Sequence, residues 1–137
     1  MPITYRIFEP HRLAYAEGTG LLTDEHIASH AYQLLSDPKF ELGFRELLDL
    51  SRVTDNALTA DGVFKTADAV VKHKERLAHS NMAIVASDDE MFGMARMYET
   101  NLSLYLEGIN VFRTIDPALE FLGLESSLLV TLRQALI

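Results

Sequence analysis

Residues 47–62 read Leu-Leu-Asp-Leu-Ser-Arg-Val-Thr-Asp-Asn-Ala-Leu-Thr-Ala-Asp-Gly. An apolar run, Leu47, Leu48 and Leu50, gives way to polar residues, and Thr59 stands where a helix begins. The run hardly alternates, which is the pattern of a central strand covered on both faces. Val63, Ala67, Val70, Val71 and Leu77 follow at helical spacing and predict a buried helical stripe. Polar residues 51–59 are expected to form the loop between strand and helix, where open α/β sheets carry their sites.

Upstream, Ile3, Tyr5 and Ile7 alternate with Thr4 and Arg6, as in a half-buried strand. Glu9-Pro10-His11 predicts a turn, and Leu13 and Tyr15 a second strand, giving an antiparallel hairpin closed by Gly18-Thr19-Gly20. Thr23 is a good N-cap for a first helix over residues 24–36, with Asp24 and Glu25 complementing the helix dipole. Asp37-Pro38 stops it.

Downstream of the second helix, Met82 to Ala86 predicts a fourth strand, and Ser87-Asp88-Asp89-Glu90 a capping box. A third helix is expected to run to about Glu107, ended by Gly108. Ile109, Val111 and Phe112 form a last short strand, and Asp116-Pro117 opens a short helix. Leu128, Leu129, Leu132 and Leu136 mark a final helix in the extension 124–137. The chain 1–137 is thus expected to be one α/β domain. It has a mixed five-stranded sheet with a leading antiparallel hairpin, flanking helices and an extra C-terminal helix.

Composition narrows the function classes. Twenty acidic residues against twelve basic ones leave a net charge of −8, which argues against nucleic acid as partner. With no cysteine, disulfides, thiol chemistry and thiolate metal sites are excluded. The N-terminus, Met-Pro-Ile-Thr-Tyr-Arg, lacks the layout of a signal peptide, and no apolar run is long enough to span a bilayer. A soluble cytoplasmic protein is expected.

The stretch Leu-Leu-Asp-Leu-Ser-Arg-Val-Thr, residues 47–54, resembles the Leu-Asp-Leu-Ser-Gly-Val strand of STAS domains, the bacterial anti-sigma-factor antagonists. The order of elements over residues 3–122 is similar too, and resembles the small STAS-like bacterial proteins related in fold to CRAL-TRIO lipid carriers. In the antagonists a serine opening the next helix is phosphorylated by a partner kinase. Alignment on Asp49-Leu50-Ser51 puts Thr59 there. The family's Asp-Ser before that position is Ala57-Leu58 here, and its following glycine is Ala60. The hydroxyl remains and the neighbours that define the switch do not. Thr59 therefore reads first as an N-cap, with Asp61 nearby making a phosphate less welcome.

No nucleophile, acid–base pair or phosphate-binding glycine loop is recognisable, so no enzyme activity and no cofactor are expected. His26 and His30 are one helical turn apart, but Ile27 follows where a zinc protease has glutamate, so no metal is expected. The third helix carries Met91, Phe92, Met94, Met97, Tyr98, Leu102 and, further on, Leu104, Tyr105 and Leu106, more than one apolar stripe. Such a helix buries several faces or presents one to a partner or apolar ligand, and methionines make an adaptable lining. Arg96 either anchors an anionic head group or pairs with Glu99 or Thr100 at the surface. Two functions remain. One is a non-enzymatic regulatory or scaffold domain acting by protein–protein contact as a homodimer, through Ser51, Thr54, Asp55, the start of the second helix and the apolar later helices. The other is a carrier or sensor that holds a lipid-like molecule between sheet and helices, against Met91, Met94, Arg96, Met97, Tyr98 and Tyr105.

Overall fold

The computed structural model describes residues 2–137. Five strands form one sheet in the order β1-β2-β3-β4-β5: Ile3–Phe8, Leu13–Thr23, Arg45–Ala57, Asn81–Val85 and Gly108–Phe112. β1 is antiparallel to β2, and β2 to β5 are parallel. Each new strand is added on the same side of the last. Right-handed crossovers therefore place the connecting helices α1 (Asp24–Ser36), α2 (Ala60–Val71) and α4 (Asp89–Leu102) on one face. A single turn, α3 (Lys74–Leu77), follows α2. Two short helices, α5 (Ile115–Phe121) and α6 (Leu128–Gln134), cover the other face.

The pleat sorts the core in two. Ala16, Leu48, Leu50, Met82 and Ile84 face α1, α2 and α4, whereas Leu13, Tyr15, Leu47, Ala83 and Val85 face α5 and α6. Burial on both faces explains why Leu47, Leu48 and the 82–86 run do not alternate. Leu132 of α6 is fully buried in the second layer, so the C-terminal leucines cover the sheet. No helix among the described residues is long and apolar enough to cross a membrane.

Several boundaries differ from those expected. Gly18-Thr19-Gly20 is no turn but the middle of β2, which pairs with β3 as far as Thr23 and Ala57. A Cβ on Gly18 would lie 2.8 Å from Leu50 Cδ2, so glycine there serves close packing of strand on strand. Residues 51–57 are likewise strand, not loop. Pairing between β3 and β4 stops at Asp49↔Val85, and from there β2 and β3 continue alone as a projecting ribbon. Leu22 and Leu50 stay in the core, but Ser51, Arg52, Thr54 and Asp55 are exposed, so polar residues are tolerated there on a backbone that stays hydrogen-bonded. That is why they read as a loop.

The second helix stops at Val71, and α3 turns Leu77 into the core while Arg76 donates to the Asp37 and Phe40 carbonyls. The N-cap of α4 is Asp88, not Ser87; its carboxylate accepts from the Met91 amide at 2.7 Å. α4 ends at Leu102, where the Tyr105 and Leu106 amides turn back to the Leu102 carbonyl. Its apparent second stripe lay partly beyond the helix: Leu106 is buried by the turn, and Leu104 is 88% exposed. Gly93 sits in the exposed middle of α4 with open space around its Cβ position. Gly93→Ala is expected to stabilise the protein by about 1 kcal/mol in urea denaturation, the propensity difference alone.

Candidate binding site

A cavity of about 70 Å³ lies between the sheet and helices α1, α2 and α4. Its walls are mostly aliphatic, with Met82, Met91 and Met94 among them, and its polar groups include His30, Glu46 and Tyr98. His30 shares the inner face of α1 with Leu34 and is 7% exposed. Its Nε2 lies 3.2 Å from Glu46 Oε2 at the start of β3, and its ring stacks edge-on against Tyr5. Nδ1 of the same ring is buried without a hydrogen-bond partner. Burial, and then the Glu46 charge, raise the Tyr98 phenol well above its ordinary pKa.

The expected site residues divide between three places. Met91, Met94 and Tyr98 line the cavity together. Ser51, Thr54 and Asp55 are exposed on the projecting ribbon, where Ser51 Oγ donates to Asp49 at 2.6 Å. Arg96, Met97 and Tyr105 do not reach the cavity. Arg96 pairs with Glu99 at 2.9 Å on the surface, and Tyr105 packs against the core beyond the helix. His26 closes a capping box at Thr23 with its Nδ1, so the histidine pair is split between two structural tasks. Among the described residues, no three His, Asp or Glu side chains gather closely enough to hold a metal ion.

Thr59 caps α2 by accepting from the Gly62 amide at 3.0 Å. Its hydroxyl also donates to Asp24 Oδ2 at 2.7 Å, and its amide donates to Asp24 Oδ1 at 2.9 Å. Asp24, the first residue of α1, thus holds the start of α2 from a neighbouring element. A phosphate on Thr59 would meet that carboxylate directly, so the local electrostatics oppose one.

On the other face, where β2 and β3 leave the sheet, Asp49 is 1% exposed. Its Oδ1 accepts from the Ser51 amide at 3.0 Å, which ends the β3–β4 ladder. Its Oδ2 faces Arg133 of α6 at 3.5 Å. Beside it, the fully buried Tyr15 donates to Glu17 at 2.7 Å, and burial foremost, then this bond, raises the Tyr15 pKa. Burial and its bond to Asp37 push the Tyr5 phenol up to about 12. A phenol with a raised folded pKa gives its full stabilisation below the ordinary 10.0 and loses it as pH climbs through the folded value. Stability is therefore expected to fall above pH 10, with Tyr5, Tyr15 and Tyr98 ionising only beyond it. Near-ultraviolet absorbance and circular dichroism followed together through an alkaline titration check this.

The sequence showed His30 as half of a histidine pair, Asp24 as a first-turn acid and Asp49 within a strand motif, but not their partners Glu46, Thr59 and Arg133. The burial of His30 had a signal there, as a polar residue on the apolar stripe of Ile27, Ala31 and Leu34. No protein-family model matches the chain, and no curated protein matches it.

Proposed function

We propose that the chain is a cytosolic, STAS-like, non-enzymatic domain that acts by protein–protein contact and pairs with a second copy of itself. The observation that supports this is the open edge of β3 beyond Asp49, where residues 51–57 run beside β2 and, among the described residues, meet no strand on the other side. Unpaired backbone groups on such an edge are a template for another strand. Arg52 lies opposite Thr19 and Asp55 opposite Leu21, so the bulge between them leaves both side chains on one face. Antiparallel pairing of two copies sets Arg52 of each against Asp55 of the other. The stretch is short and polar, which suits a weak, reversible contact.

Sedimentation velocity tests the reading. At ~100 µM chain the wild type is expected to sediment largely as a dimer. Thr54→Pro, which takes a backbone donor from this stretch and stiffens it against an added strand, is expected to sediment as a monomer with unchanged circular dichroism. A wild type that stays monomeric at that concentration overturns the self-pairing.

A second reading, a carrier or sensor for an apolar small molecule, is favoured by one separate observation. The cavity behind the sheet is lined by adaptable methionines and carries one unsatisfied polar atom.

A further inference from the structure

We propose that the cavity between the sheet and helices α1, α2 and α4 binds a small neutral amphiphile, an alcohol of a few carbon atoms, whose hydroxyl donates to His30 Nδ1. The proposal rests on the ligand-binding reading just given and adds the chemical class of the ligand.

Size sets the first limit. The volume is about 70 Å³, whereas an apolar cavity of about 150 Å³ holds benzene, so the space suits only a few non-hydrogen atoms. An acyl chain would need the walls to move. Chemistry sets the second. In the neutral tautomer whose Nε2 donates to the Glu46 carboxylate, 3.2 Å away, Nδ1 carries a lone pair and no proton. Nδ1 is buried and has no partner in the protein, although such atoms are almost always satisfied. What it lacks is a donor. A carboxylate ligand brings none and would sit beside Glu46, and a hydrocarbon fills the space but leaves the nitrogen unpaired. A hydroxyl meets both demands, with its alkyl end against Leu48, Ile84 and Met91.

The neighbouring groups agree with a neutral head group. Tyr98 lines the same cavity, and its phenol is held protonated by burial and by the nearby Glu46 charge, so it adds no charge to the site. Ser80, also in the wall, already spends its hydroxyl on the Phe44 carbonyl at 2.5 Å. Among the described residues lining the cavity, the His30 nitrogen is the buried polar atom without a partner.

The test is methyl NMR on the full chain, reading the Met82, Met91 and Met94 methyl resonances during titration. The probes are 1-propanol and 1-chloropropane, which match in size but differ in the donor. Wild-type protein is expected to bind the alcohol about ten-fold more tightly, the ratio one buried hydrogen bond provides. His30→Leu is expected to abolish the preference, and His30→Gln, which keeps an acceptor, to retain part of it. Equal affinity of the wild type for the two probes overturns the hydroxyl assignment and leaves the ligand-binding reading standing. If neither probe moves the methionine methyls of the wild type, both are overturned. Ala95→Leu, which fills the cavity, is expected to remove the shifts with either probe; shifts that persist place the binding elsewhere and overturn the proposal.

Discussion

Arg133→Ala is expected to destabilise the protein by about 2–3 kcal/mol in urea denaturation. Asp49 is 1% exposed, and the guanidinium of Arg133, at 3.5 Å, is the cation paired with it. Removing one partner of a buried pair strands the other charge away from water, which costs roughly 3–5 kcal/mol when both are deep. Arg133 is itself a third exposed, so water partly compensates and the lower figure follows. The loss also loosens α6, because that helix meets the sheet through Arg133 and its leucines, and its turns are too short to persist undocked. Amides of residues 128–134 should therefore exchange faster in the variant. Adding Asp49→Asn removes the stranded charge, and the double variant should recover about 1 kcal/mol. A double variant no better than the single would show that Arg133 acts through packing.

Gly62→Ala is expected to cost about 1–2 kcal/mol, although helix propensity alone predicts a gain of about 1. Gly62 lies in the first turn of α2, and a Cβ there would stand 2.0 Å from Asp24 Cγ. The Asp24 side chain must swing away and give up its bonds to the Thr59 amide and hydroxyl, both charge-assisted. Asp24→Ala removes the obstacle along with the bonds. In that background the same Gly62→Ala change should turn stabilising, by roughly 0.5–1 kcal/mol. Such a change of sign between backgrounds is the signature of direct contact, and thermal denaturation of the four proteins measures it.

How far the fold was legible depended on where each residue's reason lay. Capping at Thr23 and Thr59 and the helical stripe of α2 are local chemistry and stood out in the sequence. So did the double-sided burial of Leu47, Leu48 and Met82 to Ala86. The strand character of residues 51–57 did not, because its cause is backbone pairing with β2, which leaves no trace in exposed side chains. Gly18 and Gly62 read as turn and helix residues, while their real constraint is a partner 32 and 38 positions away, Leu50 and Asp24 respectively. The candidate site suffered most. Met91, Met94 and Tyr98 were found because they repeat along one helix, but the His30–Glu46 pair joins a helix to a strand 16 residues on, and only the sheet topology unites them.

Hydrogen exchange on β3 tests whether its free edge is where a second copy docks. Amides of residues 52–57 that point away from β2 should exchange quickly in dilute protein and become protected, at least ten-fold, when concentration is raised into the dimer range. The β4 amides, already paired, should not change. Rapid exchange of the edge amides at every concentration, in a sample that sediments as a dimer, would place the contact elsewhere and rule out docking at this edge.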